Sequence, residues 1–144
     1  MGRIMAIDYG TKRVGLAVTD PLQMIATPLT TIHSKDVIEF LKDYTTKEEV
    51  ECFVIGEPRR MNYEASEIEK QIGPFIKALR KNIPSVDIER FDERFTSKIA
   101  FQAMLDAGLK KKDRARKELV DKISAAVILQ SYLEMKLNKQ KRTE

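Results

Sequence analysis

An α/β domain built on a mixed five-stranded sheet, with helices on both of its faces and the element order βββαβαβαα, is the fold this sequence predicts. Three observations lead there. Ile4 to Ile7 is apolar at every position, the pattern of a central strand covered on both sides. Further strand-like runs, Val50–Ile55 and Val86–Phe91, alternate with stretches of helical periodicity. A length of 144 residues at 42% hydrophobic content suffices for one buried core and is too short for two.

The elements follow in order. The first strand ends in Asp8, and the turn Tyr9-Gly10-Thr11-Lys12-Arg13 leads into a second strand, Val14 to Asp20, so the pair reads as a hairpin. Gly15 and Ala17 leave room on one face of that second strand. After the turn signal Asp20-Pro21, a third extended segment runs from about Ile25 to Ile32. Ser34 or Asp36 caps a helix reaching about Lys47, with Val37, Ile38, Phe40 and Leu41 on its apolar side. Val50 to Ile55 is a buried fourth strand, closed by Gly56-Glu57-Pro58-Arg59-Arg60. A long helix from about Ala65 to Lys81 carries Ile68, Ile72, Phe75, Ile76 and Leu79 at helical spacing, and Pro74 is expected to kink it or begin a second segment. Val86 to Phe91 is the fifth strand and ends in Asp92-Glu93-Arg94. Thr96 or Ser97 caps a helix to Ala107, stopped at Gly108. A basic loop precedes a last helix from about Lys117 to Leu137. The domain is expected to cover residues 1–138, with a frayed polar tail over 139–144.

Composition removes several function classes. No apolar stretch is long enough to span a membrane, and the short basic-then-apolar start ends in an acid, unlike a signal peptide. A cytoplasmic location without membrane contact is the expectation. The single cysteine, Cys52, lies in an apolar run and reads as a small core residue, so disulfides within the chain are excluded. His33 stands alone in a polar segment and makes no zinc site. Any metal must then be held by carboxylates, which favours Mg2+ or Mn2+. The net charge is +4, yet Lys110-Lys111-Lys112-Asp113-Arg114-Ala115-Arg116-Lys117 alone carries six bases and one acid, so the remainder of the chain is slightly acidic. Clustered bases of this kind suit phosphate, because each neutralised phosphate releases condensed counterions. A solvated loop without a partner is the plainer reading of such a run taken by itself.

Three carboxylates could converge: Asp8 at the end of the first strand, Glu93 just past the fifth, and Asp121 early in the last helix. That helix is apolar nearly all round from Ile123 to Leu129, and Asp121 shares a face with Ala125 and Ile128. Each acid also has an ordinary explanation. Asp8 can cap its turn, Glu93 can pair with Arg94, and Asp121 can pair with Lys117 or Lys122. Together they form the arrangement that phosphodiester hydrolysis uses, in which two metals about 4 Å apart activate water and stabilise the leaving oxygen. Glu57, at the end of the fourth strand, is a rival ligand ranked below Glu93.

Four blocks then matter jointly: Ile7-Asp8-Tyr9-Gly10-Thr11-Lys12-Arg13-Val14-Gly15-Leu16-Ala17, Val54-Ile55-Gly56-Glu57-Pro58, Asp92-Glu93-Arg94-Phe95-Thr96-Ser97, and Asp121 to Leu129. With these, spread over nearly the whole chain, the sequence closely resembles the YqgF family of Holliday junction resolvases, also described as pre-16S ribosomal RNA nucleases. The resemblance implies an RNase H-like fold and a single nuclease domain. It also implies that Asp8, Glu93 and Asp121 are the catalytic, metal-binding acids. One departure is visible: the Gly-x-Pro loop continues as Arg59-Arg60-Met61-Asn62-Tyr63-Glu64, without the family's usual glycine.

The expected activity is a metal-dependent endonuclease acting on structured RNA, branched DNA or both. Lys12, Arg13, Arg59, Arg60, Lys110, Lys111, Lys112, Arg114, Arg116 and Lys117 are the candidate nucleic-acid contacts. Cutting a four-way junction would favour a homodimer, since two matched incisions need two sites. The alternative is a non-catalytic RNA- or DNA-binding module of the same fold. With 7% aromatic residues and no tryptophan, no base-stacking surface is advertised, and three acids would only repel a merely bound phosphate. Asp-x-Gly-Thr in a hairpin also resembles the phosphate loop of the actin and sugar-kinase superfamily. Those proteins close two such domains around a nucleotide, and this chain carries one.

Overall fold

The computed structural model describes residues 2–58, 63–108 and 116–143. Three strands open the chain: β1 (Arg3–Tyr9), β2 (Arg13–Thr19) and β3 (Ala26–His33). They are followed by α1 (Val37–Lys47), β4 (Val50–Glu57), α2 (Tyr63–Asn82) and β5 (Asp87–Asp92). A single 3-10 turn (Glu93–Phe95) leads to α3 (Lys98–Gly108) and α4 (Arg116–Thr143). The sheet order is β3-β2-β1-β4-β5. β1 pairs antiparallel with β2, which pairs antiparallel with β3, while β1–β4 and β4–β5 are parallel. The short turns allow the antiparallel half, and the helical crossovers α1 and α2 allow the parallel half. The mixed sheet and the order βββαβαβαα are those read from the sequence.

Strand alternation sorts the core into two layers. Met5 and Ile7 of β1, Val14, Leu16 and Val18 of β2, and Phe53 and Ile55 of β4 meet Val37 and Leu41 of α1 and Phe75 and Leu79 of α2. Ile4 and Ala6, Ala17, Cys52 and Val54, and Phe91 meet Ala125, Ala126, Ile128 and Leu129 of α4. A third cluster, Leu105, Leu119, Ile123 and Val127, joins α3 to the outer side of α4. α4 is therefore apolar all round because it is covered twice, by the sheet and by α3.

Local chemistry explains most boundaries. The Ser97 hydroxyl accepts from the Ala100 N–H, the geometry of an N-cap at the start of α3. Asp36 stands at the N-cap of α1 without a side-chain bond, and its carbonyl accepts from Phe40. α2 runs without interruption through Pro74. The carbonyl that Pro74 leaves without a helical donor belongs to Lys70, an exposed position open to water, so no second segment is needed. α4 continues helically to Thr143 through residues read as a tail, with Leu137 to Gln140 exposed. Between β2 and β3, the Asp20 carboxylate accepts from the N–H groups of Leu22, Met24 and Ile25. Gln23 there adopts a φ of 58° and is held by its side-chain amide, which donates to the Gly2 carbonyl and to Glu51. Among the described residues, no helix is long and apolar enough to cross a membrane.

Candidate active site

On β1, Ile4, Ala6 and Asp8 point to the α4 face, so Asp8 is a carboxylate placed next in an apolar row. Its partner on β2 is Gly15. On the other side, one step beyond the Ile7–Ile55 pair, stands Gly56 of β4. Asp8 thus sits between two positions without side chains. A Cβ at Gly15 would lie 2.0 Å from the Asp121 carbonyl oxygen, so the early part of α4 rests directly on β2. A Cβ at Gly56 would lie 2.6 Å from Glu93 Oε1 and 2.9 Å from Ile128 Cδ1. The two glycines are the floor that lets Asp121 and Glu93 approach Asp8 from either side.

The electrostatics follow from that convergence. Burial, then the charges of Glu93 and Asp121, push the Asp8 carboxyl up to about 7. Burial chiefly raises Glu93 as well, with Asp92 adding to the effect and Arg90 opposing it. Arg90 lies under the same strand end, donating to the carbonyls of Ile55 and Gly56. Arg94 does not neutralise Glu93: its backbone N–H and its guanidinium are bound by Asp92. Asp121 pairs with neither Lys117 nor Lys122 but with Arg13, whose Nε donates to Asp121 Oδ2 at 2.6 Å.

Glu57 lies one residue beyond Gly56, so strand alternation sends it to the α1–α2 face, away from Asp8. Lys12 is exposed at the β1–β2 turn, and Lys117 is exposed one turn before Asp121. Arg59, Arg60, Lys110, Lys111, Lys112 and Arg114 lie outside the described residues, and Arg116 is described only as the first residue of α4. Cys52 is buried, its thiol pushed up to about 12 mainly by that burial, as an inert core residue should be. His33 is exposed on β3, where its Nδ1 accepts from the Lys35 N–H.

Two features escaped the sequence reading. Phe95, two residues after Glu93, is 62% exposed and stands edge-on to Phe91. Its signal was an aromatic residue directly after an acidic strand end. Gly56 was legible as the end of a strand and as part of the Gly-x-Pro block, but its role in admitting Glu93 was not, because that side chain is 37 positions away in sequence.

The donor chemistry suits a hard divalent cation: three carboxylates, no imidazole and no thiolate among them, and a central acid whose raised proton affinity a cation would relieve. Among the described residues, no three of His, Cys, Asp and Glu are gathered tightly enough to enclose an ion as they stand. Asp121 is committed to Arg13 in this state.

The family model RuvX, described as Holliday junction resolvase, matches residues 2–135. The chain is 57% identical over 136 residues to a protein named "Putative pre-16S rRNA nuclease" from Phocaeicola vulgatus, covering 94% of this chain and 98% of that one. It is 56% identical over 137 residues to a protein of the same name from Flavobacterium psychrophilum, covering 95% and 100%. Among solved structures, Thermus thermophilus RuvC in complex with a Holliday junction substrate matches with a TM-score of 0.60 at 16% identity, over 94% of this chain and 96% of that chain. That likeness shows a common RNase H-like fold.

Proposed function

Since the chain belongs to the RuvX family of Holliday junction resolvases, we propose that it is a divalent-metal-dependent endonuclease that hydrolyses phosphodiester bonds in structured nucleic acid. One observation carries the reading: Asp8 is flanked by Glu93 and Asp121, and their charges add to burial in raising its carboxyl to about 7. A fold has no structural use for crowding acids in this way, and a nuclease does. The names of the relatives favour the precursor of 16S ribosomal RNA as substrate, and the family description adds branched DNA. The working location is the bacterial cytoplasm. Processing of a single RNA end needs one site, whereas paired cuts in a junction would require a homodimer.

Asp8, Glu93 and Asp121 would hold Mg2+ or Mn2+, which when bound supplies an activated water and charge stabilisation for the departing oxygen. The residues of the chain do the rest. The ladders from β1 to β2 and β4 fix the backbone of Asp8, so the place of this acid at the rim is set before substrate arrives. Glu93, on the turn after β5, reaches over Gly56 toward Asp8, where its carboxylate would complete the ligand set from the β5 side. Lys12 and Lys117 flank the acids from two elements and can bind backbone phosphates on either side of the scissile bond.

The test compares wild type with Asp8→Asn on a precursor 16S RNA and on a four-way DNA junction, in Mg2+ and in Mn2+. Wild type is expected to cut at least one of them, and the variant neither, with an unchanged circular dichroism spectrum. Equal cleavage by the variant would end the metal-nuclease reading. Binding of both ligands without cleavage in either metal would favour the non-catalytic module instead.

A further inference from the structure

Arg13 is the one cation bonded to any of the three acids among the described residues. Its position is built. It begins β2, next to Val14, whose partner is Tyr9 of β1. The preceding turn is drawn tight at Gly10, where a Cβ would lie 2.6 Å from the Arg13 carbonyl oxygen. Ser34 ties the same turn down, its N–H donating to the Lys12 carbonyl and its hydroxyl to the Thr11 carbonyl. Asp121 is equally fixed, because its backbone lies on Gly15. Two anchored backbones therefore hold the guanidinium against the carboxylate, with 43% of the arginine side chain and 22% of the aspartate side chain exposed.

That pairing takes Oδ2 of one of the three proposed metal ligands. One guanidinium offers a single positive charge to three acids, so it balances the site only in part, and a divalent cation balances it better. We propose that Arg13 is a positioning residue that occupies the Asp121 ligand position in the metal-free protein and sets the threshold for metal loading, yielding Asp121 to the divalent cation. The proposal rests on the metal-nuclease reading above.

The test is calorimetric titration of Mn2+ into the full chain without nucleic acid, for wild type, Arg13→Ala, Arg13→Gln, Lys12→Ala, Asp8→Asn, Asp121→Asn and the double variant Arg13→Ala/Asp121→Asn. Removing the competing guanidinium should tighten Mn2+ binding by roughly three- to tenfold in both Arg13 variants, the scale of a partly exposed ion pair. Lys12→Ala removes a neighbouring charge that holds no acid, so its effect should be clearly smaller. In the Asp121→Asn background the gain from Arg13→Ala should vanish, a result that general charge effects would not give. Unchanged or weaker Mn2+ binding in the Arg13 variants, a gain matched by Lys12→Ala, or a gain that survives Asp121→Asn would overturn the proposal. If wild type binds Mn2+ and Asp8→Asn does not, such a failure concerns Arg13 alone. If wild type itself binds no Mn2+, the metal site falls and the role of Arg13 falls with it.

Discussion

At the scale of single residues, burying the Asp8 carboxyl beside two further acids costs the fold as pH rises. Its carboxyl rises from 3.8 to about 7 in the folded chain, so the folded state binds more protons than the unfolded state within that window. Stability therefore falls as pH rises: the contribution is fully present below about pH 3.8 and lost as pH passes through about 7. At about 1.4 kcal/mol per pH unit, the change is at most about 4 kcal/mol. In chelator, the melting temperature of wild type relative to Asp8→Asn should drop between pH 4 and pH 7, and Mn2+ at neutral pH should restore it. Parallel melting curves for the two proteins across that range would contradict the account. Asp8, Glu93 and Asp121 were all legible in the sequence as acids at strand ends or on a buried helix face. The Arg13–Asp121 pair was not, because the two residues are 108 positions apart and only the seating of α4 on β2 joins them.

At the scale of elements, the glycines separate two kinds of damage. At Gly15 an added methyl group would meet the backbone of Asp121, which cannot step aside without moving α4. Gly15→Ala should cost about 1–3 kcal/mol in stability, the usual scale of overpacking, and abolish cleavage. At Gly56 the methyl group would meet the tip of Glu93, which can swing, and the Cδ1 of the buried Ile128, which must shift slightly within the core. Gly56→Ala should lose less than about 1 kcal/mol and still lose most cleavage, since the side chain displaced is Glu93, proposed above as a catalytic acid. Urea denaturation beside a cleavage assay distinguishes the two, and equal stability losses would refute the distinction. The element order itself was readable because apolar alternation and helical spacing are local signals. The continuity of α2 through Pro74 was not, because it depends on whether one freed carbonyl faces water. Nor was the face taken by Glu57, which follows from the register of β4 against β1.

At the scale of the molecule, charge and topology cooperate. The carboxyl end of β1, the turn carrying Lys12 and the first turns of α4 share one rim, while Lys47 ends α1 just before β4 begins, at the far rim. Each of Lys12→Ala and Lys117→Ala should flatten the slope of log affinity against log salt by about 0.7 to 0.9, the value for one phosphate contact. Lys47→Ala should leave the slope unchanged, and fluorescence anisotropy with a labelled RNA hairpin measures all three. A slope that responds equally to Lys47 would place the nucleic acid elsewhere. The fold class was legible as a whole because Ile4 to Ile7 of β1 is apolar at every position, the pattern of a central strand. α4 supplies Asp121 and also covers one face of the sheet, so one helix completes both that core layer and the candidate site. A ribosome making this protein holds an emerging chain surrounded by RNA. Until α4 has emerged and docked, that chain has two of the three acids and one uncovered sheet face, so the helix that closes this core layer also withholds the candidate site from the RNA around it.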